Sequence, residues 1–313
     1  MKPSDHKKIT QFTFDQYNDL FSDAFRALPK TFTTQTVQAT ADEDEKKPLK
    51  RFTNWHFYKS GENPHKESFR CCFFIRINLY SHLIYQEHID TLNDIVTPQG
   101  NRSPASLSQE QLATLARAFG GIIHHVQDMS TPSHVTPIYH GPWWGPGKFK
   151  KRQDHFEDFS QRYNTAHPLN HNGILQIPDN IPDLFPNDLD FMTIYHQTAE
   201  ATRQYLRTTT FPATRNNIPE EMPLTAFWQE YDFDTDPESA NETAGFGQYG
   251  PWENCFGERK TSRTLDGVQW TIAFDTYQFI YFELISKMIA DTLRCLRLLD
   301  TLLTSRPELL KKV

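Results

Sequence analysis

The sequence predicts an all-α chain, a compact multi-helix domain spanning residues 1–313 with an irregular insertion near 208–265. Three observations predict it. Apolar residues recur at helical spacing over 7–28, 108–129 and 275–304. The Pro, Gly, Asn and acidic content between 208 and 265 sets that stretch apart from the helices around it. Neither an internal repeat nor a flexible linker divides the chain, which favours one domain.

Residues 7–28 place Ile9, Phe12, Tyr17, Leu20, Phe21, Phe25 and Leu28 among polar positions, as an amphipathic helix does. The Thr-rich and acidic TFTTQTVQATADEDEKK that follows reads as a loop. Over 66–92, aromatic and aliphatic residues at helical spacing with regular polar interruptions predict a buried helix rather than a membrane span. Ser108 and Gln111 form a capping box, and Leu112, Leu115, Phe119, Ile122, Ile123 and Val126 mark one face of a helix that ends near Met129. Pro132 fits that stop. Residues 137–151 read as an irregular loop, and DHFEDFSQRY as the start of another helix. Helices are expected at 189–207 and 275–304. The latter is interrupted by Glu283, Lys287, Asp291 and Arg294, charges that exclude a comfortable membrane span. The insertion, with GFGQYGPWENCFG inside it, reads either as short strands or as part of a binding lid.

Lys plus Arg number 32 against 39 Asp plus Glu, a formal charge of -7, and no long basic run appears. This balance argues against tracking nucleic acid by phosphate neutralisation, although a metal site binds phosphate without a basic surface. MKPSDHKKITQF has no apolar stretch of signal-peptide length. The expected localisation is therefore secretion or translocation by a specialised system without a cleaved signal, with the cytoplasm as the alternative. Cys71, Cys72, Cys255 and Cys295 lack zinc-ligand spacing and read as reduced structural residues.

The informative segment is GGIIHHVQDMSTPSHV. His124 and Asp128 are four residues apart, so on a helix they lie one above the other and can converge on one ion. Gly120 and Gly121, one turn earlier, leave room for another element to approach. His134 follows in the loop after Pro132. Imidazole and carboxylate donors of this kind suit an open zinc site. Taken alone, the His124 and Asp128 pair also reads as a buried histidine hydrogen-bonded to its neighbour. A third histidine at short range, with more in separate segments, favours metal.

The order His124, Asp128, His134 within HHVQDMSTPSHV resembles the central metal motif of the zinc-dependent phospholipase C and P1 nuclease superfamily. His6 resembles that family's N-terminal histidine ahead of its first helix, and NWHFY resembles the segment carrying another ligand, here His56. The acidic ADEDE precedes His56 at about the family's separation for a ligating aspartate; Asp44 is preferred, with Asp42 close behind. The resemblance implies up to three zinc ions. One would use Asp44, His56, His124 and Asp128, and a second His134 with ligands from the next segment. A third would use His6, a bridging Asp128 and the α-amino group and carbonyl of residue 1, here Met1 in place of the family's Trp. The second site departs from the pattern. With Glu157 as its carboxylate, the position of the expected histidine is Gln153, a poor ligand. His140 is the preferred substitute, with Asp154 and His155 as alternatives. His125 reads as a packing or supporting residue.

The resemblance implies hydrolysis of the glycerol-side phosphodiester bond of a glycerophospholipid, phosphatidylcholine first, with Asp44 helping to orient or deprotonate the attacking water. A phospholipid membrane surface is the expected partner. Trp143 and Trp144 in HGPWWGPGKF suit either the membrane interface or packing on the loop's own prolines. Two alternatives remain: a P1-type single-strand nuclease, and a non-catalytic lipid- or partner-binding protein on a degenerate metalloenzyme scaffold, which Gln153 motivates.

Overall fold

The structure is a computed structural model that describes residues 1–21, 28–45, 54–59, 68–71, 75–97, 107–138, 154–162, 189–230, 247–258 and 262–305. His140, Trp143, Trp144, Gln153 and Cys72 lie outside the described residues. Eight helices are described: α1 Pro3–Leu20, α2 Lys30–Glu45, α3 His82–Val96, α4 Gln109–Met129, α5 Pro132–Val135, α6 Phe159–Arg162, α7 Phe191–Thr208 and α8 Phe274–Thr304. Among them run nine strands: β1 Asn54–Phe57, β2 Ser68–Cys71, β3 Ile75–Tyr80, β4 Thr210–Arg215, β5 Ile218–Pro223, β6 Trp228–Gln229, β7 Gln248–Tyr249, β8 Ser262–Leu265 and β9 Val268–Thr271.

Helix α4 organises the core. Ser108 caps it as expected: its side chain accepts from Gln111 N at 3.1 Å, and Ser108 N donates back to the Gln111 side chain at 2.9 Å. From Ala118 to Met129 every residue of α4 is buried, and α1, α2, α3, α7 and α8 all pack on it. A helix enclosed on all sides has no solvent face for its polar residues. His124, His125, Gln127 and Asp128 must therefore find partners inside.

Helix α2 replaces the expected loop over TFTTQTVQATADEDE. Thr is a weak helix former on its own, and the close approach to α4 overrides that weakness. A Cβ built on Gly120 would sit 2.5 Å from Ala39 Cβ and 2.8 Å from Thr36 O, so the two backbones meet where neither side carries bulk. Thr36, Ala39, Thr40 and Ala41 fill the contact and are buried. Helix α1 begins earlier than predicted, at Pro3, and ends at Leu20 instead of near 28, so His6 lies inside its first turns.

The all-α expectation is overturned by three sheets, which make the fold mixed. The first has order β1-β3-β2, with β1 parallel and β2 antiparallel to β3. It corrects the helix expected over 66–92: among the described residues of that range, the helix begins at His82. The sequence Ile75, Arg76, Ile77, Asn78, Leu79 alternates with period two, which suits a strand.

The insertion supplies the other two sheets. One is antiparallel with order β5-β4-β9-β8, and the other is the β6-β7 pair. Two tight hairpins build the larger. Asn216 and Asn217 join β4 to β5 with φ of 49° and 66°, and Asp266 and Gly267 join β8 to β9 with φ of 49° and 77°. Left-handed backbone at both central residues matches the twist of the flanking strands. No helix among the described residues is long and apolar enough to cross a membrane. Cys255 and Cys295 are free thiols.

Candidate metal centre

Five segments deliver polar side chains to one point beside α4. On α4 itself, His124 and Asp128 stack one turn apart, with His124 Nε2 3.1 Å from Asp128 Oδ2. The helix stops at Met129, and Thr131 N closes the turn on Asp128 O at 2.9 Å. Pro132 opens α5, whose His134 turns back to place Nε2 3.8 Å from Asp128 Oδ1 and 3.1 Å from Glu157 Oε1. Strand β1 is strapped to α5 by Tyr58 N donating to His134 O at 3.0 Å. It brings His56 Nδ1 to 3.2 Å from Asp128 Oδ2 and 3.0 Å from His124 Nε2. Helix α1 contributes His6, whose Nε2 is 3.5 Å from Asp128 Oδ1 and 3.8 Å from Asp44 Oδ2. Asp44, on the last turn of α2, lies 3.9 Å from His124 Nε2 and keeps 17% of its side chain exposed.

The outer nitrogens of three of these rings show what the inner ones carry. His124 Nδ1 lies 2.8 Å from Thr40 O, and His134 Nδ1 lies 2.6 Å from His56 O. A carbonyl only accepts, so both Nδ1 atoms are N–H donors. His6 Nδ1 lies 2.7 Å from Gln127 Oε1. The Gln127 amide is oriented by donating to Thr10 Oγ1 at 3.0 Å, so its oxygen faces His6 and accepts. With one proton at Nδ1, a ring whose Nε2 is bare would aim a lone pair at carboxylate oxygen, a repulsive contact that either a second proton or a metal ion at Nε2 relieves. Pinning the outer N–H so that the inner nitrogen faces a metal is the usual support for a histidine ligand.

Distances agree with that reading. Zinc bonds of 2.0–2.1 Å put neighbouring donors in a tetrahedral shell about 3.3–3.4 Å apart. The edges among His56, His124 and Asp128 run from 3.0 to 3.2 Å. Several groups of buried His, Asp and Glu could thus hold a metal ion. His56, His124, His125 and Asp128 form one, and His6, Asp44 and His124 another, each with its ligand atoms within 4.8 Å of one another.

The α-amino nitrogen of Met1 enters the same space. It lies 3.1 Å from Glu157 Oε1 and 4.0 Å from Asp128 Oδ1. Lys2 Nζ holds Asp158 at 2.7 Å beside it. Burial alone would lower the pKa of this ammonium; Glu157, Asp128 and Asp44 outweigh burial and raise it to about 10. Burial likewise opposes ionisation of Asp128, yet His134 and His124 hold its carboxyl well below the usual carboxylate range. Asp44 is also lowered: burial pushes it up, and His124 and His6 more than offset this. Three carboxylates facing one ammonium leave an excess of buried negative charge, which calls for cations.

Asp44, not Asp42, faces the cluster. Asp42 is exposed and accepts from Gln38 Nε2 at 2.6 Å. Asp154 and His155 are engaged elsewhere. Asp154 accepts from Phe156 N at 2.9 Å, Glu157 N at 3.3 Å and Tyr249 OH at 2.9 Å, which shapes the turn that presents Glu157. His155 Nδ1 lies 3.5 Å from Glu258 Oε1. Sequence reasoning missed Gln127, the Thr40 carbonyl and Ser133, whose Oγ donates to Glu157 Oε1 at 3.3 Å. A buried Gln three residues after His124 on a helix was the available signal for the first.

Comparison with protein families, with curated proteins and with solved structures finds no match to this chain.

Proposed function

We propose that this chain is a zinc-dependent phosphodiesterase of the phospholipase C type, cleaving the glycerol-side phosphoester of a glycerophospholipid to diacylglycerol and a phosphorylated head group. The observation that carries the reading is the set of three histidines, His6, His124 and His134, with Nδ1 pinned and Nε2 aimed at Asp44, Asp128 and Glu157. The donors that α1, α2, β1, α4, α5 and the Glu157 turn bring together are more than one ion would need, and Asp128 lies within 4.0 Å of His6, His56, His124, His134 and the Met1 nitrogen. Asp44, His56, His124 and Asp128 would hold one zinc, and His134 and Glu157 a second. Met1, where it carries a free α-amino group, would hold a third with His6 and Asp128. Zinc held by these residues would supply Lewis-acid polarisation of a phosphoryl oxygen and an acidified water.

The chain's own residues supply the rest. Asp44 has its carboxylate partly open to solvent and held ionised, so it can orient a water and accept its proton. Gln127 and the Thr40 and His56 carbonyls keep the rings from rotating, so the site is built before substrate arrives. The choice of phospholipid rests on the resemblance of HHVQDMSTPSHV, with the later AFWQ and GFGQYG segments, to the phospholipase branch.

Phosphatidylcholine vesicles and single-stranded DNA, offered to one preparation with and without chelator, test the reading. Diacylglycerol release that chelator abolishes is expected. DNA cleavage alone moves the chain to the nuclease alternative, and turnover of neither with little zinc bound points to the degenerate scaffold.

A further inference from the structure

His125 follows the ligand His124 on α4 and has opposite surroundings. Its ring is fully buried, yet neither Nδ1 nor Nε2 has a hydrogen-bond partner. Its neighbours are rings: His56 at 4.6 Å, His124 at 5.2 Å, His88 at 5.8 Å and Tyr85 at 6.1 Å between centroids. An unsatisfied buried polar atom costs about 1–3 kcal/mol, so the position calls for an account.

Two more donors converge on it from different helices. His88 of α3 places Nε2 3.4 Å from Glu43 Oε1 of α2, and the ligand atoms of Glu43, His88 and His125 all lie within 4.8 Å of one another. The 3.4 Å separation equals the donor spacing in a tetrahedral zinc shell, about 3.3–3.4 Å from bonds of 2.0–2.1 Å. The backbone makes room for this arrangement. A Cβ on Gly121 would fall 2.4 Å from His88 Nε2, so glycine is what lets the imidazole lie against α4. An ordinary Glu43 and His88 ion pair would account for those two residues and leave both nitrogens of His125 without a partner.

We propose that Glu43, His88 and His125 form an auxiliary binding site for a divalent first-row metal, zinc by its two-imidazole, one-carboxylate donor set, tying α2, α3 and α4 together beside the Asp128 cluster. Glu43 immediately precedes Asp44, and His125 immediately follows His124. An ion on this triad therefore fixes how α2 sits on α4, and with it the placement of Asp44 against His124. The residues are positioning residues for the neighbouring cluster; none is assigned contact with a substrate.

Zinc per chain decides it, counted by mass spectrometry on the full chain after equilibrium dialysis against zinc. His88→Ala and Glu43→Gln should each lose one equivalent relative to wild type, the double variant no more than either single one. His88→Gln, closer in size at this partly exposed position, replaces His88→Ala if that variant lacks the wild-type far-UV spectrum. A folded variant that binds as much zinc as wild type overturns the proposal, as does loss of every equivalent at once, which would mean that there is no separate site. The count involves no substrate, so it stands or fails apart from the phosphodiesterase reading.

Discussion

Two buried regions of this molecule are made in opposite ways. The Asp128 cluster gathers carboxylates and imidazoles at mutual distances of 3.0–3.9 Å. In a second region of the core, Phe256 packs against Tyr277 at 5.1 Å, Trp228 at 5.2 Å, Phe159 at 5.4 Å and Phe156 at 5.5 Å between ring centroids. The aromatic region releases free energy simply by leaving water. The polar region costs free energy until a cation joins it. The contrast teaches that stability and function are separable here. The aromatic core and the apolar face of α4 hold up the scaffold, and the polar cluster is carried inside it.

Three experiments break or sharpen that contrast. The largest effect is expected from Asp128→Asn, which removes the carboxylate that His56, His124 and His134 face and should lower phosphodiester turnover on the order of 10³-fold or more, about 4 kcal/mol in the barrier. Its metal-free form should melt lower than metal-free wild type, because the carboxylate that His134 and His124 stabilise against burial is gone; an unchanged melting point would argue that these imidazoles do not hold it ionised. Next comes Phe256→Ala, which opens a cavity among the aromatic rings and should cost about 3–5 kcal/mol in denaturant unfolding. Zinc bound per folded chain should stay as in wild type, and loss of zinc would show that the two regions are not separable. The smallest is Gly120→Ala, whose methyl group would meet Ala39 and the Thr36 carbonyl. It should cost about 1–3 kcal/mol and, by lifting Thr40 O and Asp44 from His124, weaken zinc binding as well. Zinc affinity unchanged under that destabilisation would mean that the close α2 contact does not govern the cluster.

Much of the central helix was legible because its signals are local. The Ser108 and Gln111 box, the apolar face from Leu112 to Val126 and the stop at Pro132 need no tertiary partner to be read, and the boundaries of α4 follow from them. Helix α2 was not legible. Its Thr and Asp residues have weak local helix preference, and only the glycine of α4, about eighty residues away, explains why small residues suit a buried helix there. The strands of the insertion were legible only as one of two readings, short strands or a lid. Asp266 and Gly267 between short alternating runs, and Asn216 and Asn217, are the hairpin signals that separate the two.

The candidate site divides the same way. His124, Asp128 and His134 are visible as spacing on one segment. Asp44 could be separated from Asp42 only by the turn of α2, on which residues 40 and 44 share one face. The pairing of Glu43 with His88 and His125 has no sequence signature, because three helices must pack before the residues meet.

The most direct test of the central claim is the zinc content of the purified wild-type chain, determined by mass spectrometry alongside protein concentration. The account predicts at least two equivalents of zinc per chain, held through dialysis and removed by a strong chelator. A chain that binds less than one equivalent after dialysis against excess zinc would contradict it, and the convergence of His6, His124 and His134 on three carboxylates would then need to be explained by protons alone.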